Sequence, residues 1–126
     1  MASSRNQITI DETAVEREYL AAALRRSQFL AKNDAEKANR EFDKLYKLLK
    51  EGLRPLPDKG EAALKRIAEN PNPDVQIEAA AALLTIDEPY ATHLLETVVN
   101  RRGPGSFTAE MTLQEWKKGK LRDYLS

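Results

Sequence analysis

Apolar positions recur every three or four residues along most of the chain, which is the spacing that α-helices produce. From Asp11 to about residue 32 there are two offset apolar stripes, made of Val15, Tyr19, Ala22, Ala23 and Leu30, and of Leu20 and Leu24. Two stripes indicate a helix that other elements cover on more than one side. We expect Asp11 to cap this helix and Ile10 to pack against Val15. Residues 1–9 are predicted to be a flexible lead-in.

A second helix is predicted to begin at Asn33, because Glu36 follows three residues later as in a capping box. Its apolar face has the cleanest helical spacing in the chain and comprises Ala35, Ala38, Phe42, Leu45, Tyr46 and Leu49. Gly52 is expected to end this helix. Because the junction between the two helices is short, residues 11–51 are predicted to form an antiparallel αα-hairpin.

Prolines separate the hairpin from the rest of the chain. Pro55 and Pro57 lack an amide donor and restrict the backbone, so they disfavour helix. Residues 53–60 are therefore predicted to be a proline linker.

The apolar pattern of residues 61–120 occurs twice. The first helices of the two units align at an offset of 31 residues, and the second helices at an offset of 30. The aligned pairs are Leu64 with Leu95, Ile67 with Val98, Ile77 with Phe107, Ala79 with Ala109, Leu83 with Leu113, and Ile86 with Trp116. A break that contains proline separates the helices of each unit, so two stacked helix pairs are predicted.

The sharpest of these breaks opens the segment NPNPDVQIEAAAAL, residues 70–83. Pro71 prevents continuation of the preceding helix, Asn72 is predicted to cap the next one, and Pro73 suits its first position. The alanines at 79–82 allow this helix to lie close to two neighbours at once. The whole chain is predicted to be one all-α domain of about six helices, a hairpin followed by two helix pairs in a solenoid-like curl.

Charge and composition narrow the range of functions. Twenty basic residues balance twenty acidic ones, whereas nucleic-acid binders usually carry a basic surplus, so nucleic acid is not the expected partner. The chain has no cysteine, which excludes disulfides, thiolate metal sites and thiol nucleophiles. It begins with no secretory signal pattern and has no apolar run of membrane-spanning length, so a cytoplasmic protein without membrane contact is predicted.

Motifs that carry chemistry are few. His93 is the only histidine, and Glu96 follows it on the same helix face. A metal site needs three or four ligands, and no second histidine or cysteine is present to complete one. The segment RRGPGS, residues 101–106, places two arginines before a helix N-terminus, where an anion can bind, but the lysine of a phosphate-binding loop is missing. No metal or cofactor is expected, and the chain is not predicted to be an enzyme.

Three pairs of polar residues are candidate contacts for a partner: Asn39 and Arg40, Arg101 and Arg102, and Lys117 and Lys118. A structural role is the alternative in each case. Lysines at a helix end complement the helix dipole, and asparagine within a helix is expected to form a hydrogen bond to another helix. Trp116 is either an exposed anchor for a partner or a core residue, and its alignment with Ile86 favours the core.

Three stretches resemble a bacterial family of short HEAT-like helical-repeat proteins that is catalogued only as a domain of unknown function: AEKANREFDKLYKLLKE, NPNPDVQIEAAAAL and FTAEMTLQEWKKGKL. The resemblance covers residues 30 to 121. The positions that match the family pattern are Asn39, Asp74, Val75, Trp116 and Gly119. At Gln76 the chain departs from HEAT-type units, which often have arginine there. The resemblance implies a helical-repeat fold and a bacterial origin, and it implies no activity.

A binding or scaffold module is the function that these observations favour. Stacked helical repeats present extended surfaces suited to proteins or peptides. By analogy, such a module is expected to bind a partner protein and to regulate or neutralise it. The alternative is a small-ligand or anion-binding domain, or a minor enzyme, centred on His93 or the Arg101–Ser106 turn. Association with a second copy of the chain is a third reading.

Overall fold

The computed structural model describes residues 11–121. Within this range no strand occurs, and six α-helices follow one another: α1 (Glu12–Ala31), α2 (Ala35–Leu48), α3 (Pro57–Ile67), α4 (Pro73–Leu83), α5 (Glu88–Asn100) and α6 (Ser106–Lys117). The predicted all-α architecture is confirmed. None of these helices is both long and apolar enough to cross a membrane. The predicted lead-in at residues 1–9 and the packing of Ile10 on Val15 lie outside the described residues.

The first two helices begin at acidic residues. Asp11 caps α1 as predicted, accepting hydrogen bonds of 3.1 and 3.2 Å from two amides of the first turn. The predicted cap of α2 is wrong by one residue, because Asp34, not Asn33, accepts from the Lys37 amide. Asn33 has a φ of 59°, a left-handed conformation in which asparagine is enriched. It therefore belongs to the turn between the helices.

The end of α2 and the linker after it differ from the prediction. Gly52 does not end the helix, since one π-helical turn, Leu49–Leu53, continues it. Gly52 lies against α1, where an added Cβ would come within 2.7 Å of Val15. Because α3 begins at Pro57, the predicted linker at residues 53–60 shortens to residues 54–56. A first helical position needs no amide donor, so proline starts this helix instead of preventing it.

The break before α4 also ties α4 to α1. Asn72 caps α4 as predicted and accepts from the amides of Asp74 and Val75. Pro73 is the first residue of the helix. Ser27 of α1 donates a 2.6 Å hydrogen bond to the Asp74 carboxylate. The segment is thus a helix start and a contact between two helices.

The core is centred on α4, which packs against α1, α3, α5 and α6, while α1 also packs against α2 and α3. Val75, Ala79, Ala80 and Leu83 of α4 are completely shielded from solvent. Two of these four are alanines, whose small side chains let several helices approach one central helix closely. This agrees with the spacing role predicted for the alanine run.

The helix pairs α3–α4 and α5–α6 occur in the predicted order, but their second helices align differently. Leu56 and Asp87, the N-caps of α3 and α5, are 31 residues apart, as predicted. Asn72 and Gly105, the N-caps of α4 and α6, are 33 residues apart instead of 30. The longer turn before α6 accounts for the extra residues.

Trp116 is a core residue, for a different reason than the sequence alignment gave. Its side chain is 4% exposed, whereas Ile86, the residue aligned with it, is 39% exposed. The offset of 33 residues places Trp116 level with Leu83, which is completely buried. The same shift explains why Phe107, aligned by the sequence with buried Ile77, is 74% exposed.

Candidate functional site

The first pair of predicted contact residues lies on the surface of α2. Asn39 and Arg40 are both exposed, and Arg40 forms an ion pair with Glu36 one turn earlier. Within residues 11–121, Asn39 forms no hydrogen bond to another helix. The structural role expected for Asn39 is therefore wrong, and its side chain is available at the surface.

The second pair helps to form the turn between α5 and α6. The Arg101 guanidinium donates a 3.0 Å hydrogen bond to the side-chain oxygen of buried Gln76. Arg102 has a φ of 53°, and Gly105 has a φ of 86°. A Cβ on Gly105 would lie only 3.1 Å from Pro73, so the turn requires glycine there. Arg101 thus contributes to the fold, and a helix N-terminus by itself does not define an anion site.

The remaining predicted residues lie elsewhere. Lys117 and Lys118 are exposed at the C-terminal end of α6, about 18 Å along this helix from the Arg101–Ser106 turn. His93 and Glu96 are exposed on α5. In the described part of the chain, no group of three or more His, Asp or Glu side chains is placed to hold a metal ion. The structure does not gather the predicted residues into one site.

An open apolar groove, which we call the α2–α6 groove, is a better candidate. Its floor is α4, one wall is formed by α1 and α2, and the other wall is α6. The cavity has a volume of about 280 Å³. The apolar lining includes Tyr19, Phe42, Leu45, Tyr46, Leu49, Ile77, Ala81, Ala82 and Met111.

The local sequence of each helix explains this shape. Ala81 and Ala82 lie at the floor, where their small side chains leave room between the walls. The α2 wall is a stripe at spacings of three and four residues within residues 42–49, and the α6 wall is a similar stripe within residues 108–115. Each stripe covers two helical turns, about 10 Å. The groove thus has the length of a short helical or extended peptide segment.

One ion pair lies in this apolar lining. The Arg26 guanidinium donates to the Glu78 carboxylate at 3.1 Å and lies over the Phe42 ring, 5.3 Å from its centroid. The Glu78 side chain is only 14% exposed. Burial raises the pKa of Glu78, and the positive charge of Arg26 partly opposes this shift. The pair gives the groove one fixed polar position.

Two exposed apolar side chains extend the α6 wall. Met111 lines the groove and is 38% exposed, and Phe107, one turn earlier on the same side of α6, is 74% exposed. The sequence analysis missed both residues, because the offset of 30 residues assigned Phe107 to the core. Alignment by the helix starts places Phe107 level with Asp74 of α4, outside the core pattern. That alignment was the signal in the sequence.

Fold and groove together define a six-helix, all-α protein with an open apolar groove. The chain belongs to the family described as Domain of unknown function (DUF2019), which matches residues 18–116. This confirms the resemblance to a family of unknown function. The match covers both walls of the groove as far as Trp116, and Gly119 lies beyond it. Comparison with curated proteins gave no match.

A solved structure has the same fold. It is the crystal structure of the protein RPA1889 from Rhodopseudomonas palustris CGA009, with a TM-score of 0.78 and 24% sequence identity. The likeness covers 90% of this chain and 92% of that chain. At this identity the likeness establishes the fold alone.

Proposed function

We propose that this protein is a non-catalytic interaction module that binds an apolar segment of a partner protein in the α2–α6 groove. The observation that carries the proposal is the groove itself, with an apolar floor between two helical walls. Recognition of a helix in a groove places apolar side chains at spacings of three and four residues against such walls. Both walls carry stripes of this spacing, and Met111 and Phe107 add exposed apolar surface beside them.

The nature of the partner is part of the same proposal. The module acts in the bacterial cytoplasm, where it binds a protein and regulates or neutralises it. The balance of twenty basic and twenty acidic residues supports a protein partner over nucleic acid. The helix pairs α3–α4 and α5–α6 act as HEAT-like repeats, which suit extended contact with a protein.

The test compares the proteins captured from the source bacterium by the wild-type chain and by two groove variants. Met111→Glu places a charge on the α6 wall, and Ala81→Glu places one on the floor. Lys117→Glu is the control, because it changes a charge on the same helix at an exposed position outside the groove. Circular dichroism checks that all variants fold. The partner is expected to be captured by the wild type and the control, and lost with both groove variants.

One outcome would contradict the groove. A partner that both groove variants retain, and that Arg101→Ala or His93→Ala loses, would move the site to the Arg101–Ser106 turn or to His93. That result would favour the ligand-binding alternative. Chemical shifts of the folded variants, compared with those of the wild type, separate a local effect from a change of fold.

A further inference from the structure

A second open groove follows the line along which α1 and α2 pack, and we call it the α1–α2 seam. It has a volume of about 700 Å³. Small or short apolar side chains form much of its lining, namely Ala14, Val15, Ala21, Ala22, Leu48 and Gly52. It uses a different side of α2 from the α2–α6 groove, since Phe42 and Lys44 are about 200° apart around the helix.

Six charged residues line the seam, and they are sorted by sign. α1 and α2 run antiparallel, with Gly52 against Val15 and Arg25 bonded to Glu41. This register places three acids before three bases along the seam, in the order Asp11, Glu51, Glu18, Lys47, Lys44 and Arg25. All six are exposed. One half of the seam is therefore acidic and the other half basic.

Two neighbouring charges do not cancel this separation. Glu41 is buried and accepts hydrogen bonds from Arg25 and Lys44 at 2.9 and 3.2 Å, but it is one carboxylate against three cations. Arg17 adjoins Glu18 in sequence, yet it is about 100° further around α1 and does not line the seam. The two halves thus keep opposite net charge.

A surface with one acidic and one basic half is complementary to a copy of itself turned about a two-fold axis. We infer that the α1–α2 seam is the interface of a dimer of this chain. The acidic half of each copy faces the basic half of the other, and the charges steer the two surfaces into register. A foreign partner would have to carry the same separation in reverse, whereas a second copy provides it by symmetry. The small lining residues allow the helices of the two copies to approach closely.

This inference does not depend on the proposed function. The seam and the α2–α6 groove lie on different sides of α2, so a dimer presents two open grooves. Loss of partner binding in the groove variants would leave the dimer unchanged, and disruption of the dimer would leave each groove intact. The two proposals can therefore fail separately.

Sedimentation equilibrium of the full chain over a wide concentration range tests the inference. We expect a monomer–dimer equilibrium whose dissociation constant rises with salt and is largest at about 1 M, where the screening length is about 3 Å. Glu18 and Lys47 lie nearest the midpoint of the seam, so they are the residues to reverse. Glu18→Lys and Lys47→Glu are each expected to weaken the homodimer at least about tenfold, because like charges then face each other.

Mixing the two variants gives the sharpest prediction. The centre of the Glu18→Lys seam is positive and that of the Lys47→Glu seam is negative, so an equimolar mixture is expected to form the heterodimer. Two exposed residues outside the seam provide controls with the same changes in net charge: Glu96→Lys on α5 and Lys117→Glu on α6. Both controls are expected to dimerise like the wild type.

Three results would overturn the inference. The first is a chain that stays monomeric at every concentration. The second is a dimer that is indifferent to Glu18→Lys and Lys47→Glu. The third is a chain that dimerises only after residues 1–10 are removed, since those residues would then be the occupant of the seam. Melting curves of the two variants confirm that they fold, as expected for exposed positions.

Discussion

Trp116 and Phe107 occupy the same helix and differ most in what their side chains contribute. Trp116 is 4% exposed and donates a 2.7 Å hydrogen bond from its indole nitrogen to Glu88, whereas Phe107 is 74% exposed. We expect Trp116→Ala to lower the free energy of unfolding by about 3–5 kcal/mol. Phe107→Ala should change it by less than about 0.5 kcal/mol. Urea unfolding of both variants measures the contrast, and equal losses would show that the register of α6 is wrong.

Glu78 is expected to make stability depend on pH. Burial raises its pKa above the ordinary 4.5, so the folded state binds this proton more tightly than the unfolded state. The stability that it contributes is fully present below about pH 4.5 and is lost as pH rises through the folded pKa. Glu78→Gln removes this titration, while the other carboxylates titrate in both proteins.

The measurement is the unfolding free energy of the wild type minus that of Glu78→Gln, determined at several pH values. This difference should fall as the pH rises above 4.5. A difference that rises over the same range would mean that the attraction of Arg26 outweighs burial, and that the charged pair is the favoured state of the groove wall.

At the scale of the elements, the sequence predicted each helix but not all of its boundaries. Asp11 and Asn72 cap the helices as predicted, because their effect is local. Gly52 and Pro57 were misassigned because packing decides there: Gly52 is fixed by its contact with Val15, and Pro57 serves as a helix start. Glycine and proline mark a change in backbone direction only where no neighbouring helix requires the position for another purpose.

Gly60 gives a test in which sequence and structure predict opposite signs. It lies within α3, where alanine normally stabilises a helix by about 1 kcal/mol relative to glycine. A Cβ at this position would lie 2.2 Å from the carbonyl oxygen of Leu53, a contact with backbone that cannot be relieved by a side-chain rotation. We therefore expect Gly60→Ala to destabilise the fold by at least about 2 kcal/mol.

Gly103→Ala is the matched control for this substitution. Its Cβ would meet no atom closer than 3.9 Å, so its effect on the free energy of unfolding should stay within about 0.5 kcal/mol. Thermal or urea unfolding of the two variants decides the matter. A Gly60→Ala protein more stable than the wild type would refute the close packing of α3 on the π-helical turn.

At the scale of the molecule, the groove was the part that the sequence did not predict. Its lining comes from four helices, and no single apolar stripe distinguishes a side chain that faces a groove from one that faces the core. Ala81 and Ala82 looked like spacers between helices, but they also lie at the floor of an open space. The charge separation of the seam was equally hidden, because acids and bases alternate along the sequence and are sorted only when α1 and α2 pair.

Hydrogen exchange of the chain bound to its captured partner tests the central claim most directly. If the partner segment lies in the α2–α6 groove, binding should slow amide exchange at residues 42–49 of α2 and 108–115 of α6. Exchange at the Arg101–Ser106 turn and around His93 should not change. Protection confined to that turn or to α5, with the groove helices exchanging as in the free protein, would contradict the account.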